Sequence, residues 1–251
     1  MTFKTICNYL DRISFLGLRI WEFGCRSLAQ EYGWFFLFKI AIKYPAKTFR
    51  GLMIYRHFCR SLGTISPNKI YSNCSIQSIA YQLQRDPKRL LVGMGYCQRP
   101  IKTDVQPLAC PSPRFSHNCS FIEHPGHNQL LPACKICDIQ PIAEAAIQSG
   151  AAVYIMTSAK DIAREIFLPT LAHGKYRAAI LFICPYSILP IALPLMICDI
   201  QFLIVPYAIG DCRNYSDFLH ADQGIKPKRT FPMRHKFELV LNIFNAPKNK
   251  K

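Results

Sequence analysis

Four short runs of apolar residues constrain the fold of this chain more than any other feature. They occupy residues 90–96, 151–156, 178–183 and 202–205. Each run is continuously hydrophobic, which is typical of strands that are buried on both faces. Helical segments lie between them, and one begins after Ser158 in a pattern close to a capping box. We therefore predict an α/β fold with a mostly parallel open sheet and helices on both faces.

Pattern and charge divide the chain into three parts. Residues 1–62 form a basic, amphipathic region that we expect to contain two or three helices. Residues 63–225 form the cysteine-rich α/β domain, and residues 226–251 form a basic tail. The net charge of the whole chain is +16, so we expect an anionic partner.

The aromatic run at residues 34–42 precedes and overlaps a row of lysines. Lys39, Lys43 and Lys47 would share one helical face, and Pro45 is expected to bend or end that helix. The run is shorter than the roughly 20 residues that cross a bilayer. A basic amphipathic helix of this kind fits a segment lying on an anionic membrane surface. A pair of helices packed on the domain, with solvated lysines, fits as well.

The expected location of the chain follows from its first residues. They show no signal-peptide pattern, so we expect a cytoplasmic protein held peripherally at the inner face of the membrane. Nucleic acid is a less favoured partner, because the aromatic residues lie in apolar runs and no known binding motif is present.

Twelve cysteines in such a protein are more typical of metal or catalytic chemistry than of disulfides. Cys134 and Cys137 form a CxxC motif, whose two thiolates can bind one metal ion or two irons of a cluster. Three further cysteines each follow a predicted strand, at the sheet edge where ligands gather in α/β folds. These three are Cys97, Cys184 and Cys212.

We predict that these five cysteines converge on one metal centre. Cys110 and Cys119, in the long loop at residues 98–136, could join them, as could His117, His124 and His127. Ligands scattered over several loops favour an iron–sulfur cluster, with zinc as the alternative because only one paired motif is present. A redox-active dithiol without metal is a further alternative. We interpret the remaining cysteines as core residues; they are Cys7, Cys25, Cys59, Cys74 and Cys198.

Four short motifs follow one another in residues 88–222: residues 90–97, Cys134–Cys137 with Asp138 and Ile139, residues 179–184, and residues 210–214. Their order and spacing resemble the family catalogued as domain of unknown function 116. The resemblance implies an α/β domain with a hydrophobic or membrane-associated N-terminal region. It also implies roles for Cys97, Cys134, Cys137, Cys184 and Cys212. Asp138 and Asp211 depart from the glycine and proline that the family tends to have there.

Three functions are compatible with these patterns. The first is a metal-binding protein, with an iron–sulfur cluster acting in electron transfer or serving a cofactor-using enzyme. The second is a thiol enzyme whose nucleophile is a cysteine such as Cys184, at a helix N-terminus that would lower the pKa of its thiol. The third is an interaction protein that binds a membrane or nucleic acid through its basic segments, with a structural zinc. The sequence itself names no reaction or substrate.

Overall fold

The computed structural model describes residues 2–13, 19–102, 107–124 and 131–245. Its centre is a six-stranded sheet with the order β1-β5-β4-β2-β3, in which β6 also pairs with β5. The strands are β1 (Tyr71–Ser72), β2 (Leu90–Gly95), β3 (Ala152–Met156), β4 (Ala178–Ile183), β5 (Gln201–Ile209) and β6 (Phe231–Pro232). The four central strands are parallel, so the predicted α/β class and mostly parallel sheet are confirmed.

Helices flank the sheet on both faces. The α-helices are α1 (Phe3–Ile13), α2 (Trp21–Ser27), α3 (Glu31–Phe35), α4 (Pro45–Ser61), α5 (Ile76–Arg85), α6 (Ser120–Glu123), α7 (Pro132–Lys135), α8 (Ile139–Gln148), α9 (Ala159–Ile162), α10 (Leu168–His173), α11 (Ile188–Ile197), α12 (Tyr215–Asp222) and α13 (Arg234–Asn245). Two π-helical segments continue α3 and α9, at Phe36–Ala41 and Ala163–Phe167.

One face of the sheet is covered by α4 and α11 together with the segment from α9 to α10. The contact between α4 and α11 is close at Gly51. A Cβ atom there would lie 2.6 Å from the Cα atom of Ile197, so this helix crossing requires glycine. The opposite face is covered by α5, α8 and α13, which pack on the apolar side chains of β2 and β4.

The N-terminal region is helical, as predicted, but it is divided into more pieces than the two or three expected. Pro45 begins α4 instead of ending the preceding helix, in agreement with the preference of proline for the first helical turn. In the described part of the chain, no helix has the length and apolar composition needed to cross a membrane. Lys248, Lys250 and Lys251 lie outside the described residues.

The segment at residues 226–251, expected to be a basic tail, contains β6 and α13. The helix is amphipathic, and Phe237, Val240 and Phe244 are buried against the sheet. The two-residue strands β1 and β6 run antiparallel to β5. They were not expected, because two residues carry no alternation that a sequence pattern can detect.

The connections of the sheet create a switch point between β2 and β4. From β2 the chain crosses to β3 on one side, and from β3 it returns to β4 on the other side of β2. In open α/β sheets, ligands bind outside the carboxyl ends of the strands at such a point. The residues that follow β2 and β4 therefore occupy the most favourable position for a functional site.

Candidate functional site

Three cysteines meet at the switch point, and we call them the inner thiol cluster: Cys97, Cys184 and Cys212. Cys97 lies in the turn after β2, Cys184 directly after β4, and Cys212 three residues after β5. All three are buried. The backbone N–H of Cys212 donates to Cys184 Sγ across 3.3 Å. The parallel strands thus bring together thiols that are 28 to 115 residues apart along the chain.

Two polar side chains hold the thiols of this cluster. Lys226 is 8% exposed, and its Nζ donates to Cys212 Sγ at 3.0 Å. The hydroxyl of Thr230 donates to Cys97 Sγ at 3.0 Å. Lys226 has no carboxylate partner among the described residues. The cluster therefore has a buried cation beside one sulfur, which favours the thiolate form of that sulfur.

The three thiols differ in acidity. A hydrogen bond from Cys184, together with the hydrogen bond and charge of Lys226, lowers the pKa of Cys212 to about 7 against the opposing effect of burial. The same bond to Cys212, and then burial, raise the pKa of Cys184. Burial also raises the pKa of Cys97. Of the three thiols, Cys212 is therefore the one whose thiolate form its surroundings favour most.

A network of hydrogen bonds supports the cluster from beneath. The backbone N–H of Gly95 donates to the hydroxyl of Tyr207, which donates to Oε1 of Gln98, both at 2.9 Å. A Cβ atom on Gly95 would lie 2.9 Å from both Cys97 Sγ and the Tyr207 oxygen. Glycine is required there because thiol and phenol both approach the backbone closely.

A cavity of about 450 Å³ opens above the inner thiol cluster. Its walls come from α2, from the helical segments after α3 and α9, and from α11 and α12; Phe23, Phe36, Phe167 and Phe218 are among the side chains that line them. The floor consists of the three thiols with Tyr207 and Lys226. A largely apolar cavity with a few polar groups at one end is the usual form of a small-molecule site.

The other four predicted ligands form a second group, which we call the outer cysteine cluster: Cys110, Cys119, Cys134 and Cys137. All four line one small cavity beside α8, and all are half-buried. Burial raises the pKa of Cys134, and the proximity of Cys119 and Cys110 raises it further. Burial raises the pKa of Cys137 to about 12. The thiolate forms of Cys134 and Cys137 are therefore disfavoured unless a cation binds beside them.

Backbone N–H groups lie near Cys137 of the outer cysteine cluster. Those of Ile139 and Gln140, in the first turn of α8, oppose the rise in the pKa of Cys137, and the N–H of Gln140 donates to the Cys137 carbonyl oxygen at 3.1 Å. Arg229 lies close enough to act in the same direction. Its guanidinium donates to the backbone carbonyl of Ile136 at 2.8 Å and to Asp138 at 3.3 Å. These donors would stabilise negative charge on the sulfur.

Arg99 contributes a buried positive charge to the same cavity. The side chain is 1% exposed and lines the cavity with the four cysteines. Its terminal nitrogens donate to the backbone carbonyls of Pro113, Arg114 and Asn118. Its Nε has no hydrogen-bond partner, and no carboxylate of the described residues pairs with it. A buried cation without a counter-charge is costly.

The seven predicted ligands thus fall into two groups and do not form one centre. The CxxC motif lies with the loop cysteines, not with the cysteines at the strand ends. Among the described residues, no three cysteine sulfurs lie within 4.8 Å of one another. The metal centre itself therefore stays a prediction.

His117 belongs to neither group. His117 contacts the end of β3, where Nδ1 lies 2.8 Å from the carbonyl oxygen of Ile155. With Asp161 and Glu165 it brings three possible ligand atoms within 4.8 Å of one another. Arg164 already pairs with both carboxylates, so they are less available to bind a metal ion. His127 lies outside the described residues.

Sequence patterns did not indicate several residues of these sites. Lys226, Thr230 and Arg229 come from a polar segment without periodicity, and only the fold brings them to the cysteines. Arg99 stands two residues after Cys97, and this position was the only sign in the sequence that it lies near a site. Of the cysteines expected in the core, Cys7, Cys59 and Cys198 are buried, Cys74 is half-buried and Cys25 is exposed. Comparison of the chain with protein-family models, curated proteins and solved structures found no match.

Proposed function

We propose that the outer cysteine cluster binds an iron–sulfur cluster, and that the protein acts in electron transfer or as the partner of a cofactor-using enzyme. The observation that carries this proposal is the buried guanidinium of Arg99, which lines the same small cavity as the four thiols and lacks a counter-charge. A metal centre with four thiolate ligands would supply the missing negative charge.

The donors present fit such a group. Four sulfurs come from three separate segments: Cys110 from the loop after β2, Cys119 from the start of α6, and Cys134 with Cys137 from the turn at α7. Iron–sulfur clusters are held by cysteine thiolates, and hydrogen bonds to the sulfurs adjust their potentials. When bound, the group supplies one-electron transfer. The chain supplies the thiolates, the N–H donors at α8 and the charges of Arg99 and Arg229.

The spacing of the thiols favours a cluster over a zinc ion. Zinc–sulfur bonds of about 2.3 Å in a tetrahedral site place the four sulfurs roughly 4 Å apart. No three cysteine sulfurs in the described part of the chain approach within 4.8 Å. A polynuclear centre is larger than a single ion, so it requires less closure of the loops.

The test is metal analysis of protein purified without oxygen. Iron, acid-labile sulfide and zinc are measured per chain, with the visible absorption spectrum. We expect iron and sulfide in the wild-type protein and their loss in Cys134→Ser/Cys137→Ser. The matched control is Cys74→Ser/Cys198→Ser, two thiols outside both clusters, which should retain the metal. Zinc alone, or no metal in folded protein, contradicts the proposal.

A second proposal concerns the N-terminal helices, which carry exposed aromatic and basic side chains together. Phe38, Ile42 and Phe49 are 53%, 58% and 68% exposed, and Lys39 and Lys43 beside them are exposed. Large apolar side chains next to lysines are typical of a surface that binds anionic membranes. We propose peripheral attachment to such a membrane through this face.

Vesicle binding tests this second proposal. We expect sedimentation with vesicles of anionic phospholipid, weaker binding to neutral vesicles, and loss of binding in Phe38→Ser/Phe49→Ser. Tyr81→Ser is the control, because Tyr81 is 60% exposed on α5. Equal binding to neutral vesicles, or tighter binding to duplex DNA over a salt series, contradicts it.

A further inference from the structure

The apolar cavity above the inner thiol cluster has the features of a substrate site that the proposed electron-transfer role does not use. It lies at the switch point of the sheet, where α/β folds bind their ligands. Its volume of about 450 Å³ is within the range of small-molecule pockets. Because its lining is separate from the outer cysteine cluster, the inference below does not depend on the metal proposal.

The walls of the cavity select an apolar ligand. They are formed by aromatic and aliphatic side chains, such as Phe23, Leu37, Phe167, Ile191 and Phe218. Burial of a hydrocarbon chain against such walls is favourable in proportion to the area removed from water. A sugar or a polar metabolite would leave its hydroxyl groups without partners there.

The charges in the cavity limit the polar part of that ligand to a small one. Of the described side chains that line it, Lys226 is the only cation and Asp222 the only carboxylate. Asp222 already accepts a hydrogen bond from the backbone N–H of Ala159. One lysine cannot neutralise a diphosphate, whereas it can stabilise the single negative oxygen that forms when a carbonyl is attacked.

The thiol beside Lys226 is placed to make that attack. Cys212 Sγ lies on the floor of the cavity with Lys226 Nζ at 3.0 Å. An adjacent cation activates a cysteine as a nucleophile by favouring its thiolate. The N–H of Cys212 and the thiol of Cys184 meet at the same point, so a reacting carbonyl would find sulfur, proton donor and cation together.

We propose that the cavity binds the hydrocarbon chain of an acyl thioester and that Cys212 accepts the acyl group. The thiolate of Cys212 forms a bond to the carbonyl carbon, and the carbon–sulfur bond of the donor breaks. The departing thiolate takes a proton from the ammonium group of Lys226, which then regains one from solvent. One thioester is exchanged for another, so no oxidant, reductant or metal is required.

The experiment uses the octanoyl thioester of N-acetylcysteamine with the full chain. Mass spectrometry of the intact protein and of its peptides measures how much acyl group is bound, where and how fast. We expect one octanoyl group per chain on Cys212, none at that position in Cys212→Ser, and an unchanged rate in Cys74→Ser. Acylation spread evenly over several cysteines, or none while iodoacetamide still modifies Cys212, overturns the proposal.

A second variant tests the cavity without altering the thiols. Gly24 lines the cavity, and a Cβ atom there would meet no atom within 4 Å. Gly24→Phe should therefore fill the cavity without disturbing the helix, and slow acylation by about tenfold or more. Reaction of Cys212 with the much smaller iodoacetamide should slow less. An unchanged rate of octanoyl transfer in this variant overturns the assignment of the chain-binding site.

The metal proposal and the acyl proposal fail separately. Acylation is measured also in Cys134→Ser/Cys137→Ser, which removes two ligands of the outer cysteine cluster and should leave Cys212 able to accept the acyl group. If iron persists in that variant and is lost in Cys212→Ser, the inner thiols hold the metal. That result overturns both the acyl proposal and the assignment of the outer cysteines as metal ligands. Loss of acylation without a change in metal content overturns only the acyl proposal.

Discussion

Replacement of Lys226 by methionine should raise the pKa of Cys212 and change its reactivity in opposite directions at low and high pH. The ammonium group lies 3.0 Å from the sulfur, and methionine preserves most of the side-chain volume without the charge. A hydrogen bond to a charged group contributes about 1.5–3 kcal/mol. Since one pKa unit corresponds to about 1.4 kcal/mol, the pKa should rise by roughly 1–2 units.

The effect on rate is smaller than the effect on ionisation. With a pKa of about 7, roughly half of Cys212 is thiolate at pH 7, and in the variant this fraction falls to about 1–9%. A more basic thiolate is intrinsically more nucleophilic, with a Brønsted coefficient of about 0.4–0.5. The two effects together predict alkylation about 2- to 8-fold slower at pH 7 and about 3- to 10-fold faster above pH 10.

The assay is the rate of iodoacetamide modification of Cys212 between pH 5 and 11, followed by peptide mass spectrometry. The rate midpoint should move upward in Lys226→Met, and the two profiles should cross. Lys228→Met is the control, because Lys228 is exposed and close in sequence. A profile with an unmoved midpoint, or one that is lower at every pH, refutes the assignment of Lys226 as the group that activates Cys212.

Three further predictions concern other parts of the molecule. Burial raises the pKa of Asp222 to about 6, so the folded state binds this proton more tightly than the unfolded state does. The free energy of unfolding should therefore fall as pH rises from about 4 to 6. In urea unfolding, Asp222→Asn should stabilise the protein at pH 8 by about 1–2 kcal/mol and leave its stability at pH 3 unchanged. Gly51→Ala should destabilise by about 1–3 kcal/mol, because its Cβ would meet the backbone of Ile197 at 2.6 Å; equal stability would contradict the close helix crossing. Arg99→Met should lower the reduction potential of the iron-loaded protein in a redox titration, because a nearby positive charge stabilises the reduced form; a higher potential would contradict the placement of Arg99 beside the metal.

The sequence predicted the sheet well because its central strands are buried on both faces. Continuous apolar runs bounded by turn residues left little ambiguity at β2, β3 and β4, and the capping residue Ser158 begins α9 as expected. The C-terminal segment shows a different outcome. Its positive charges suggested a tail, whereas the spacing of Phe237, Val240 and Phe244 is that of a helix with one buried face.

The candidate site was predictable only where strands determine position. Cys97 and Cys184 follow neighbouring parallel strands, so their proximity follows from the carboxyl ends of the sheet. The long loop between β2 and α8 has no periodicity, so nothing in it indicated that Cys110 and Cys119 lie with the CxxC motif. Lys226 was equally hidden, because its role depends on the return of the chain after α12 and not on any local pattern.

The two cysteine clusters share no residue, but the consecutive residues Arg229 and Thr230 link them through hydrogen bonds. Arg229 donates through Nε to the carbonyl of Gln98 at 2.9 Å and through Nη2 to Ile136, between the two cysteines of the CxxC motif. Thr230, the next residue, donates to Cys97 Sγ. If the outer cysteine cluster binds a metal as proposed, a movement of the CxxC turn would shift the segment that holds an inner thiol. Because coupling between two binding sites is reciprocal, occupation of the apolar cavity should then change the affinity of the outer cysteine cluster for the proposed metal.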